Sequence, residues 1–130
     1  MISTNMTTIH TALEITNSTK SKLYYYRKVG LLQFDSFRQM DFFNIVMLKI
    51  LTDFIIPKNQ QKYIYQLIQD CQKVWKFDTN YHIIFNDGVE IISDLNDLKR
   101  LNTMTGQRFI CLLHLPTIYN EVINKYYELI

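Results

Sequence analysis

The chain has 130 residues, 48% of them apolar and 20% charged, with a formal net charge of +2. That length favours one folded unit over two full-sized domains, and the apolar share is enough for a core rather than a disordered tail. Three glycines and two prolines speak against a turn-punctuated all-β sandwich, and two cysteines cannot build a multi-bridge secreted framework. The amino terminus has neither the basic start nor the apolar run of a signal peptide. The longest apolar stretch, 42–56, is interrupted by Asn44, Lys49 and Asp53, which argues against a membrane span. A soluble cytoplasmic protein is therefore expected.

In chain order, residues 8–15 place Ile9, Ala12 and Leu13 on one apolar stripe and predict a short helix. Asn17 or Ser18 can cap a second helix over 19–29, with Leu23 and Tyr26 directed inward and Gly30 placed to accept positive φ beyond its end. Two short helices joined by a tight polar turn outline a helix-turn-helix. Residues 31–40 read as a clipped hairpin or wing. Asp41 can cap a helix over 42–54 that is apolar around most of its circumference and therefore central to a core. Pro57 ends that segment, and a further helix over 59–75 turns Tyr63, Leu67, Ile68, Cys71 and Trp75 inward.

The period then changes. Residues 81–85 and 89–92 flank Asn86-Asp87-Gly88 and predict a β-hairpin, since Asp-Gly tolerates the positive φ of tight turns. A short helix from Ser93-Asp94 to Leu101, a strand over 108–115 and a final helix from Pro116-Thr117 complete the chain. The fold class is α+β: a mainly helical portion over 7–75 and a small α/β tail over 76–130.

Charge is distributed unevenly. Lys20, Lys22, Arg27 and Lys28 fall within nine residues that contain no acid. On a helix Lys20, Tyr24, Arg27 and Lys28 share one side, and Leu23 and Tyr26 lie on the adjacent, core-directed side. Such a surface fits a polyanion, and it equally fits a solvated face. Ser18, Thr19, Lys20 and Ser21 at the start of the helix are placed to reach base edges. Lys22, Arg27 and Lys28, with the Tyr24 or Tyr25 hydroxyl, are placed to take phosphates, and Arg38 is a further phosphate contact or a structural hydrogen bonder.

The string Leu23-Tyr24-Tyr25-Tyr26-Arg27-Lys28-Val29-Gly30-Leu31-Leu32 resembles the signature of the MerR family of transcriptional regulators, Leu-Arg-Tyr-Tyr, three residues, then Gly-Leu-Leu. Phe37-Arg38-Gln39-Met40 is similar to the Tyr-Arg-x-Tyr segment that ends the family's wing. The likeness covers roughly residues 7–70. It implies a winged helix-turn-helix that binds double-stranded DNA and regulates transcription. Tyr24 stands where the family has arginine, the wing is short and lacks Pro-x-Arg, and the long carboxyl-terminal dimerisation helix is not evident. The tail over 76–130 is expected instead to serve dimerisation or partner binding, a homodimer being preferred from the apolar Ile83, Phe85, Ile91, Phe109, Leu112 and Leu115. Two other readings remain: an excisionase-like architectural factor of a mobile element, and a protein-interaction module that has lost DNA binding.

Enzymatic chemistry finds little foothold. His10, His82 and His114 lack partners at metal-ligand spacing, and Cys71 and Cys111 read as buried hydrophobes. No phosphate-binding glycine loop, Gly-x-Ser-x-Gly or His-Glu-x-x-His occurs, so neither a cofactor nor a metal is expected.

Overall fold

The computed structural model describes residues 6–100 and 108–130. Strand β1 (Met6–Thr8) leads into helix α1 (Ile9–Thr16), and α2 (Lys20–Lys28) follows a tight turn. Strand β2 (Gln39–Asp41) precedes α3 (Phe42–Asp53) and α4 (Lys58–Val74). Strands β3 (Tyr81–Phe85) and β4 (Gly88–Ile92) form a hairpin, a 3₁₀ segment spans Leu95–Arg100, and β5 (Phe109–His114) runs directly into α5 (Leu115–Leu129). The fold is α+β with two small antiparallel sheets, β1-β2 and β4-β3-β5.

Helix α3 is the centre. Phe42, Phe43, Ile45, Val46, Met47, Leu48, Ile50 and Leu51 are all buried, together with Asn44. Asp41 caps it by accepting from the Asn44 N–H at 2.9 Å, and the same carboxylate takes Gln72 Nε2 of α4 at 2.7 Å. Helices α1, α4 and α5 pack around it. From α1 come Ile9, Ala12 and Ile15; from α4 come Ile64, Ile68 and Cys71. Strand β5 and helix α5 add Cys111, Leu113, Leu115 and Val122 to the same cluster, so the helical portion and the carboxyl-terminal portion share one core. Phe42 meets Tyr126 edge-on at 5.3 Å, and Phe77 meets Phe43 at 4.9 Å, binding α5 and the segment after α4 to the central helix.

Side chains alternate between the two faces of the larger sheet as its pleat requires, and along β3 both faces are covered. His82, Ile84, Cys111 and Leu113 are buried on one face, and Ile83, Phe85 and Ile92 form a second small cluster on the other. A register shift between Ile84 and Phe85 marks a bulge against β5.

Several elements differ from the sequence expectation. Residues 31–38 form no strand. Asp35 and Gln39 make a single backbone rung at 3.1 Å around a turn in which Asp35 Oδ1 accepts from the N–H groups of Phe37 and Gln39, both at 2.9 Å. Leu31 and Leu32 are drawn into the core, so too few residues remain for two paired wing strands. β2 pairs instead with β1, a strand the sequence did not announce. The hairpin turn consists of Asn86 and Asp87, with Gly88 already paired to Phe85. Positive φ among the described residues is confined to Asn17, Gly30, Arg38 and Trp75, so the hairpin turn does not use it. Trp75 takes the left-handed C-cap of α4 and lies 47% exposed, keeping only edge contact with Phe43 at 6.0 Å rather than lining the inward face. The short helix after Ser93-Asp94 is 3₁₀, with Asp94 Oδ1 accepting from the Asn96 N–H at 2.9 Å, and its expected last residue, Leu101, lies outside the described residues.

Gly30 tests the backbone argument. Its φ is +84° and open space surrounds its Cα, so an added methyl meets no neighbour and acts only through backbone strain. Gly30→Ala is expected to lower stability by about 1–2 kcal/mol without altering spectra of the folded state. Urea denaturation of the two proteins provides the measurement.

Candidate nucleic-acid interface

The turn between α1 and α2 is built from three polar residues with separate roles. Asn17 adopts φ 57° and its N–H closes α1 on the Leu13 carbonyl. Ser18 Oγ is taken up internally by the hydroxyls of Thr16, at 2.9 Å, and Thr52 of α3, which ties the turn to the central helix. Thr19, rather than Asn17 or Ser18, is the N-cap of α2 and accepts from the Lys22 N–H at 3.3 Å. The other end of α2 closes in a Schellman arrangement: Leu31 N–H to the Tyr26 carbonyl at 2.9 Å and Gly30 N–H to Arg27 at 3.1 Å.

Between these caps α2 buries only Leu23. Tyr26 is half-buried, its hydroxyl donating to the Leu51 carbonyl at 3.4 Å, and burial, with Tyr25 alongside, raises its pKa. Lys20, Ser21, Lys22, Tyr24, Tyr25, Arg27 and Lys28 are all exposed, as is Thr19. The cationic residues singled out from the sequence are therefore all exposed: Lys20, Arg27 and Lys28 share one side of α2 with Tyr24, and Lys22 lies round the helix from them. Ser18 stands at its edge with its hydroxyl engaged elsewhere. Arg38, also exposed, sits in the turn after residue 34 with φ 58°, and its carbonyl accepts from the Ile9 N–H at 3.0 Å.

Two features of this surface escape a reading of the sequence. The first is Phe34: the Arg27 guanidinium lies 4.0 Å above its ring centroid and Tyr24 meets it edge-on at 5.5 Å. The loop that replaces a wing therefore braces the two residues of α2 nearest to it through cation–π and aromatic contact. An isolated apolar residue just after Gly-Leu-Leu is the only signal the sequence gives for it. The second is the start of α4. Lys58 and Lys62 line a shallow cavity of about 150 Å³ with Tyr25, Val29, Leu31 and Gln61. Residues 15–34 and 54–69 contain no Asp or Glu, so two acid-free segments meet here and enlarge the positive surface. Only three-dimensional proximity relates them.

The remaining titratable groups serve other ends. His82 is buried to 1% exposure between α4 and the sheet. Its Nε2 lies 3.6 Å from the Asp78 carboxylate, beyond hydrogen-bond reach, and its Nδ1 shares a hydrogen bond of 2.7 Å with the Tyr63 hydroxyl. Burial lowers the His82 pKa, and the Asp78 charge opposes that shift more weakly. Cys71 and Cys111 are both buried, their thiols raised by desolvation, Cys111 to about 11. Among the described residues no group of three His, Cys, Asp or Glu side chains is arranged to hold a metal, and no helix is long and apolar enough to cross a membrane. A separate cavity of about 310 Å³ lies between α3, α5 and the sheet. There Tyr81 stacks on His114 at 4.4 Å, and Lys49 pairs with Asp53 at 3.0 Å.

Neither a family model nor a curated protein matches this sequence.

The His82 environment has a measurable consequence. Its folded pKa lies below the ordinary 6.5, so as pH falls through that value the unfolded chain takes up the proton before the folded one does. Stability from this group is complete above about pH 6.5 and declines as pH drops toward the folded pKa. Urea midpoints at pH 7.5 and 5.5 should differ in the parent protein. In His82→Phe the difference should shrink.

Proposed function

We propose that the chain is a sequence-specific regulator of transcription that binds double-stranded DNA with α2 in the major groove and pairs as a homodimer through its carboxyl-terminal portion. The observation that carries this reading is the outward cationic surface of α2: four Lys and Arg side chains exposed, no acid among them, and one buried anchor. An α-helix with its side chains is about 10–12 Å across, and the major groove is roughly 12 Å wide. Ser21 and Lys20, in the first turn, are then nearest the base edges. Lys22, Arg27 and Lys28, with the tyrosine hydroxyls, reach the phosphates on the rims. Lys58 and Lys62 of α4 add charge on the side of α2 that Tyr25 and Val29 face. The loss of a paired-strand wing leaves Arg38 as the one cation of that loop.

The resemblance to MerR regulators around Leu23–Leu32 supports the same reading. Of the apolar tail residues that suggested a dimer, Ile83, Phe85 and Leu115 are used within the protein, whereas Ile91, Phe109 and Leu112 are exposed. Phe109 and Leu112, on β5, are therefore the residues to which pairing is assigned.

Two measurements test this. Duplex binding should weaken with salt at a log–log slope near −0.9 per phosphate contact. Lys20→Glu combined with Arg27→Glu should lower affinity at least about tenfold and flatten that slope. Unchanged binding removes α2 from the interface. Light scattering of the parent protein should report a dimer at micromolar concentration, and Phe109→Glu with Leu112→Glu should yield a folded monomer. A monomeric parent disproves the pairing.

A further inference from the structure

Phe37 is 81% exposed, the most open aromatic side chain among the described residues, and it is not at a loose end of the chain. It sits at the apex of the turn over residues 35–38, where its own N–H is held by Asp35 Oδ1 at 2.9 Å and the Arg38 N–H is held by the Asp35 carbonyl at 3.1 Å. Arg38 then takes a left-handed conformation, and its carbonyl fastens the turn to the start of α1. A phenyl ring kept in water by a braced turn gains nothing for folding. Such a ring is free to contact something else.

Its neighbours indicate what. The turn continues directly from Phe34, which packs under Arg27 and Tyr24 of α2, so Phe37 projects from the loop that borders the cationic surface. Arg38 adds a cation beside it. Asp35 is the one acid in the turn, and one of its carboxylate oxygens is engaged by two backbone N–H groups. An apolar ring with a cation beside it matches the minor-groove side of a duplex, where inserted Phe, Leu or Ile side chains part a base step while neighbouring Arg and Lys hold the backbone. A ring without a hydroxyl offers nothing to a phosphate, and base faces are the apolar surface that DNA presents.

We infer that Phe37 is a DNA-bending wedge, entering a base step in the minor groove next to the major groove occupied by α2. This rests on the DNA-binding reading above and adds to it the deformation of the duplex. Pyrimidine–purine steps, TA above all, should be preferred because they unstack most easily.

The test uses the full chain and a 30-bp alternating d(AT) duplex carrying a donor and an acceptor fluorophore at its two ends. At saturating protein the parent should raise energy transfer between the ends. Phe37→Ala should bind roughly tenfold more weakly and, once saturated, leave transfer at the value of free DNA. Phe37→Leu should keep part of the bend. The ring is solvent-exposed, so circular dichroism of the variants should match the parent. Binding without bending by the parent, or equal bending by Phe37→Ala, overturns the wedge and leaves the DNA-binding reading intact. Absence of duplex binding by the parent at low salt, where phosphate contacts alone hold any duplex, overturns both. A drop in mass on light scattering for Phe37→Ala assigns the ring to a contact between copies of the chain, and that also overturns the wedge.

Discussion

A helix that is apolar around most of its circumference cannot be satisfied by one neighbour, and α3 imposes that demand on the rest of the chain. Each large side chain it removes from water contributes about 1.5–3 kcal/mol, so leaving any flank open would cost a substantial part of the fold's net stability. Three helices answer it. α1 and α4 come from the sequence on either side, and α5 comes from the far end of the chain. Asp41 coordinates this closure by capping α3 and at the same time receiving Gln72 of α4.

Because those three helices enclose α3, little of α2 is needed for the core. Leu23 and part of Tyr26 fasten it, and the remaining side chains are left to solvent. Helix propensity alone would not hold nine residues with so few buried contacts. The holding is done at the ends, by Thr19 and by the Gly30 closure, and along one flank by Phe34. Cations held in this way lose less conformational freedom on meeting a polyanion than the same residues on a mobile loop. The hydrogen bond between the half-buried Tyr63 and the buried His82 likewise joins α4 to the sheet.

The elements carried by long periodic patterns were legible in the sequence. Helix α3, with its Asp41 cap, was visible from its largely apolar content, α4 from its spacing, and the hairpin from two apolar runs around Asn86-Asp87-Gly88. The positive φ of Gly30 followed from its place after a short helix. What escaped depends on contacts distant in sequence. β1 exists only because β2 is there to pair with it. The wing failed to form because Leu31 and Leu32 were claimed by the core, a competition that local propensity cannot weigh. Trp75 looked inward by helical spacing, yet α4 ends one residue earlier and the left-handed cap swings the ring outward. Of the candidate interface, the α2 cations could be read from their spacing and from the family resemblance. Lys58, Lys62 and the bracing by Phe34 could not, since nothing in the local pattern links them to α2.

The shared core also constrains any paired state. β5 and α5 deliver Leu113, Leu115 and Val122 to the cluster that contains Ile9, Ala12 and Ile15 of α1, and α1 packs directly on α5. The α1–α2 turn is in turn fastened to α3 through Ser18 and Thr52. From the exposed Phe109 and Leu112 to the cationic surface, the path therefore runs through packed side chains, with no linker along it among the described residues. In a two-fold dimer joined at those residues, the separation of the two α2 helices is set by the core itself. Half-site spacing on the DNA then follows from the fold rather than from a hinge, and a duplex with the wrong spacing must bend to be bound. Under the proposed reading, such a dimer would discriminate the distance between two half-sites as well as the bases within them.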